Sequence, residues 1–182
     1  MIIRIDQRGT QYFVYRENQK DPILIGQWFQ KWRKTSAEFS DNNHIDKVLI
    51  ESNFKFAFWK KTYSIIIPEL DIVSKLKPIK IFKGHWRLET LSNIYDYYIQ
   101  SGHKKSLYKN GIQIASYDKQ YFHFFERDTM FISANNDEPV ALLISFPIAF
   151  DLGSSNDSAT MTFDFGNIGK GAIPIDMNWK PQ

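Results

Sequence analysis

Pro139-Val140-Ala141-Leu142-Leu143-Ile144-Ser145-Phe146-Pro147-Ile148-Ala149-Phe150 is the longest apolar run in the chain, twelve residues broken only by Ser145. As a helix it would be about 18 Å long, short of the roughly 30 Å hydrocarbon core of a bilayer. Just before it, Asn135-Asn136-Asp137-Glu138-Pro139 supplies capping side chains and an early proline, a helix start signal. Val140 to Phe150 has no polar face, so a helix here must be buried on all sides. Pro147 opposes that reading, because an interior proline removes a hydrogen bond and costs about 3 kcal/mol. The run therefore predicts a helix that is kinked or ends near Pro147, and a pair of buried strands is the rival.

Working outward from it, the rest of the chain reads as β. Alternation or β-branched and aromatic enrichment marks Ile3–Ile5, Tyr12–Tyr15, Ile23–Trp28, Val48–Ile50, Phe54–Trp59, Tyr63–Ile67, Ile79–Phe82, Trp86–Leu88 and Asn93–Gln100. Lys105–Tyr108 and Ile112–Ala115 flank Asn110-Gly111, a strong hairpin signal because both residues tolerate positive φ. Tyr121–Glu126 and Thr129–Ser133 add two more strands. At least ten short strands at this spacing predict a mainly β fold: an antiparallel barrel-like sheet of about ten to twelve strands around one buried C-terminal hydrophobic helix. A β-sandwich without a central helix is the alternative. Residues 1–152 form one domain in this reading, with the helix near 138–151, and 153–182 a loop and C-terminal tail that contains one further strand at Met161–Phe165.

A hairpin, then a strand, then an all-apolar helix is carried by Tyr108-Lys109-Asn110-Gly111-Ile112-Gln113-Ile114-Ala115, Arg127-Asp128-Thr129-Met130-Phe131-Ile132, and Ala141-Leu142-Leu143-Ile144 running to Asp151. This constellation resembles the tubby C-terminal-like superfamily, which includes the phospholipid-scramblase and LURP-one-related proteins. The resemblance covers roughly residues 80–151, with the N-terminal half similar only in pattern. It implies a barrel of about a dozen strands wrapped around a hydrophobic helix, and a binding role toward phosphoinositides through basic residues that cannot be matched one by one. Pro147 and the long tail depart from the family pattern. A physical reason supports such a helix: a closed barrel of this size leaves a lumen too wide for its own side chains to fill.

The composition limits the chemistry. With 182 residues, 43% of them apolar and 16% aromatic, the chain has ample surface to bury in one core and is not a disordered segment. Cysteine is absent, which excludes disulfides, thiolate catalysis and thiolate metal sites and fits a reducing compartment. Met1–Gly9 lacks the apolar core of a secretory signal, and no stretch is long enough for a membrane-spanning helix. The expected location is cytoplasmic, peripheral to a membrane surface at most. His44, His85, His103 and His123 have no local metal-pair spacing, so neither a metal nor a cofactor is called for. Gly166–Gly171 lacks the G-x-x-x-x-G-K-S/T spacing of a phosphate loop, and no G-x-S-x-G elbow is present, so nothing in the sequence supports an enzyme.

Charge is unevenly spread. The net +3 divides into 20 Lys/Arg against 12 Asp/Glu over residues 1–125 and 3 against 8 over 126–182. Ile72–Leu88 carries Lys75, Lys77, Lys80, Lys83 and Arg87 without an acid. These are the candidate ligand-binding residues, because basic patches attract phosphates of lipids or other partners. A second basic and aromatic stretch, Trp28, Lys31, Trp32, Arg33 and Lys34, is a candidate interaction surface. The plainer reading is that alternating strands show lysine to water and aromatics to the core. The sequence thus predicts a binding or scaffold module that contacts anionic lipid headgroups or another phosphorylated ligand; the alternative is a protein-interaction domain with no small ligand. Nucleic acid fits poorly, since the acidic C-terminal third leaves no continuous phosphate track.

Overall fold

The computed structural model describes residues 1–31, 34–41, 46–53, 62–80, 84–99, 104–122, 127–151, 173, 176 and 178–182. Among the described residues twelve strands precede one α-helix, with a single 3-10 turn at Pro68–Leu70: β1 (Ile2–Arg8), β2 (Gln11–Arg16), β3 (Leu24–Lys31), β4 (Lys34–Ser40), β5 (Asp46–Asn53), β6 (Thr62–Ile67), β7 (Ile72–Lys80), β8 (His85–Glu89), β9 (Ile94–Ile99), β10 (Lys104–Lys109), β11 (Ile112–Phe122), β12 (Arg127–Ala134) and α1 (Val140–Asp151). Each strand pairs antiparallel with its chain neighbours, and β1 pairs with β12 to close the barrel. The closing register sets Ile3 opposite Ile132 and Ile5 opposite Met130, so the seam is apolar on its lumen side there, with buried Gln7 opposite Asp128 toward its far end.

Period-2 alternation sorts the strands. Ile3, Ile5, Tyr12, Val14, Ile50, Ile65, Leu76, Leu88, Tyr97 and Ile132 point inward and are buried, while Arg4, Lys75 and Lys77 lie between such positions and are exposed. Apolar-in and polar-out is the reverse of the pattern in strands that face lipid. At Asn110-Gly111 both residues have positive φ, 51° and 85°, the geometry of the tight hairpin turn that the sequence announces.

The lumen is filled by α1. Leu142, Leu143, Ile144, Ser145, Phe146, Ile148 and Ala149 are all buried. The Phe146 ring stacks on Tyr97 of β9 with centroids 5.5 Å apart, and Phe150 meets Tyr63 of β6, Trp86 of β8 and Tyr97. The helix also packs against β5. The sequence expectation of a barrel around a buried C-terminal helix therefore holds, and the sandwich alternative does not.

Pro147 sits inside this helix rather than ending it. Lacking an N–H, it leaves the carbonyl of Leu143, four residues earlier, without its helical donor. The wall supplies a substitute: the Tyr117 hydroxyl of β11 donates to that carbonyl at 3.1 Å. Ser145, the one polar residue of the run, donates its hydroxyl to the Leu142 carbonyl at 2.7 Å. The two polar irregularities of the plug are thus both satisfied without water, which is what a buried helix requires.

Three strand expectations need correction. Ile112–Ala115 and the start of Tyr121–Glu126 belong to one strand, β11, which bends where its pairing with β10 shifts register after Leu107. Lys34–Ser40, which no signal marked, is β4; its only fully buried apolar side chains are Ala37 and Phe39. Most of β7 was also unmarked, because Pro78 argues against a strand. It is tolerated beside a register shift between Pro78 and Lys80, where a ladder hydrogen bond is already missing. Phe54–Trp59 and Met161–Phe165 lie outside the described residues.

Candidate functional site

The basic segment resolves into two unlike groups. On β7 the outward positions run Val73, Lys75, Lys77, Ile79, and Lys80 joins them after the bulge; all five side chains are exposed. Among the described residues none of the three lysines makes an ion pair. Val73 is 77% exposed and Ile79 46%, so the strand presents apolar and cationic side chains together.

Arg87 belongs elsewhere. It stands opposite Lys77 on β8, but its guanidinium turns to Asp96 on β9, with Nε donating to Oδ1 at 2.8 Å and Nη2 to Oδ2 at 3.1 Å. His85 Nε2 lies 2.6 Å from the same Oδ1 and donates to it, and the imidazole stacks on Tyr98 at 4.4 Å. The cluster faces outward, yet His85, Asp96, Tyr98 and the neighbouring Ser106 are buried. Burial pushes the Asp96 carboxyl upward, but the hydrogen bonds from Arg87 and His85 and the charge of the Arg87 guanidinium outweigh it and hold the carboxyl below its usual range. The Arg87 guanidinium is raised in turn, chiefly by its hydrogen bond to Asp96. This is a closed, neutralised network in which the charge of Arg87 is already consumed. Lys83 lies outside the described residues.

The second candidate surface is also redistributed. Trp28 points inward and packs, partly buried, against the core, whereas Phe29 beside it is exposed. Lys34 forms an ion pair with Glu51. The Lys31 side chain, Trp32 and Arg33 lie outside the described residues. Alternation in β3 explains Trp28: its even-numbered neighbours Leu24 and Gly26 face the lumen too.

One further charged pair lies at the barrel mouth where α1 enters. Lys109 Nζ donates to Glu138 Oε1 at 2.9 Å, and the Glu138 carboxylate is buried. That hydrogen bond raises the Lys109 ammonium, against a smaller opposing effect of burial. Among the described residues no group of three or more His, Asp or Glu is placed to hold a metal ion, and no helix is long and apolar enough to cross a membrane. His85 lies in the network above; His44, His103 and His123 lie outside the described residues.

Sequence reasoning named the lysines but missed Val73 and Ile79 as their companions and Asp96 as the partner of Arg87. The spacing Val73-x-Lys75-x-Lys77-x-Ile79 carries the first signal, once the segment is read as a strand. The second depends on the β8–β9 register, which pairs Arg87 with Asp96. Compared with protein-family models, with curated proteins and with solved structures, the chain matches none.

Proposed function

We propose that this barrel is a binding module of the tubby-like kind, not an enzyme, and that it docks on anionic lipid headgroups through the outer face of β7. The architecture of a barrel closed around an apolar helix supports the kinship. The observation that carries the ligand class is the row Lys75, Lys77 and Lys80, exposed and without an ion-pair partner among the described residues, interleaved with exposed Val73 and Ile79. Apolar side chains enter the headgroup boundary while lysine stems keep their ammonium groups among the phosphates. Each lysine near an anionic surface contributes about 1 kcal/mol, so three together amount to roughly a hundredfold in binding. Arg87 takes no part, because Asp96 holds it.

Sedimentation with vesicles of neutral phosphatidylcholine, and of the same lipid mixed with phosphatidylserine, tests this reading. Co-sedimentation only with the anionic vesicles, weakening as salt rises, is the expected result. Equal binding to both kinds, or none to either, overturns it.

A further inference from the structure

The β8–β9 turn, Thr90 to Asn93, presents Leu91 to solvent at 98% exposure, the most exposed of the large apolar side chains described. The turn is held rigidly. Thr90 N donates to the Asn93 carbonyl at 2.9 Å, and Asn93 N donates to Thr90 Oγ1 at 3.0 Å. The neighbouring β10–β11 turn braces it, with Asn110 Nδ2 donating to Asn93 Oδ1 and Ile94 N donating to Asn110 Oδ1, both at 2.9 Å. Such ordering of the flanking backbone lowers the conformational cost of seating the exposed leucine on binding.

The tip also adjoins the lysine row. Ser74 of β7 donates its hydroxyl to the Glu89 carbonyl at the end of β8, and Glu89 stands opposite exposed Ile94. Val73, Leu91 and Ile94 thus form an apolar corner at one end of the barrel, the end at which β7 begins. From that corner Lys75 and Lys77 step away along β7 at about 3.3 Å per residue, roughly 7 and 13 Å beyond Val73. With the corner leading, Lys75 reaches the depth of the headgroup phosphates and Lys77 lies within about a Debye length of them.

We infer that the barrel meets the anionic membrane corner-first, with Leu91 as the apolar anchor that enters the headgroup boundary and the lysines of β7 ranged behind it. The inference rests on the lipid reading above and adds the orientation. Glu69, Asp71 and Glu89 lie at the same end, so the corner itself is acidic and the electrostatic attraction must come from the lysines behind it. The Leu91 contribution is therefore apolar and persists in salt that screens the lysines.

The absence of native cysteine makes the test direct. Leu91→Cys and Thr10→Cys, the latter at an exposed turn at the opposite end of the barrel, each carry one environment-sensitive fluorophore. On phosphatidylserine-containing vesicles the label at position 91 should brighten and shift to the blue, and the label at position 10 should stay unchanged. Leu91→Ala should weaken binding roughly tenfold, by a factor that holds as salt rises. Vesicle binding without a response at position 91, or with equal responses at both positions, overturns the orientation and leaves the lysine reading standing. Failure of the unlabelled parent chain to bind anionic vesicles overturns both.

Discussion

The two sides of one barrel wall treat their side chains differently. On the lumen side Tyr97 stacks on Phe146 and Phe150, and Tyr117 donates to Leu143. On the outer side two conditions occur. Across β8 and β9 the polar groups are consumed by one another, in the network of His85, Arg87 and Asp96. On β7, next in the sheet, Lys75, Lys77 and Lys80 are engaged by nothing among the described residues. Stability and availability are therefore inversely arranged. On the outer wall, the charged groups of the β8–β9 network are committed to one another, and the exposed lysines of β7 hold little of the fold. The cost of substitution should fall in steps from lumen to network to β7.

Phe146→Ala should give the largest loss, about 3–5 kcal/mol, because it empties the centre of the lumen where the wall cannot collapse. The urea midpoint should drop with the slope unchanged. A loss below about 1 kcal/mol would mean that the helix is not the plug, and the contrast between the two sides would fail. Tyr117→Phe comes next, at about 2 kcal/mol, since it strands the Leu143 carbonyl in an apolar interior. Pro147→Ala restores the missing N–H as a competing donor. The cost of Tyr117→Phe should then largely vanish in the Pro147→Ala background, a coupling that a double-mutant cycle reads directly. Additive effects would show that the tyrosine acts by packing alone.

The outer network is a smaller step, and it has a pH signature. Asp96 has a folded pKa held below its unfolded value of about 3.9. Its contribution is therefore complete above the unfolded value and is lost as pH falls through the folded one. Asp96→Asn should cost about 1–1.5 kcal/mol near neutrality and flatten the acid limb of the stability curve below about pH 4. An unchanged acid limb would remove Asp96 from the groups that hold the wall and would return Arg87 to the free basic set.

Much of this division was legible before the fold was known, and the exceptions have physical causes. The plug declares itself because twelve apolar residues with no polar face admit few placements, and the Asn110-Gly111 hairpin because its turn chemistry is local. Pro147 reads as an objection in sequence. The donor that answers it, Tyr117, lies 26 residues before Leu143 and is brought to it only by closure of the barrel. The β7 strand was hidden by Pro78 and by an even split of apolar residues between its two faces, Ile72 and Leu76 inward, Val73 and Ile79 outward. Arg87 and the lysines share a basic run, but only the register of β8 against β9 reveals that one of them is already engaged. Composition finds a charged segment; cross-strand partners decide which charges are available.

The smallest stability effect should belong to the residues with the largest binding effect. Among the described residues Lys75, Lys77 and Lys80 pair with no carboxylate, and all three are exposed, so their combined replacement by glutamine should lower stability by less than about 0.5 kcal/mol for each site. Removing three unpaired positive charges also relieves mutual repulsion along β7, which pushes the change toward stabilisation. Vesicle binding should fall roughly a hundredfold, and the salt dependence of what remains should become shallow, because the residual contact is the apolar corner at Leu91. Arg87→Gln should do the opposite, costing stability because buried Asp96 loses the two hydrogen bonds from the guanidinium and keeps that from His85, while leaving vesicle binding within about twofold. If the triple variant unfolds easily, or if Arg87→Gln alone abolishes binding, the separation of holding groups from available groups on the outer wall is wrong. Measuring both variants in both assays distinguishes these outcomes, since each residue is expected to register in one assay and be nearly silent in the other.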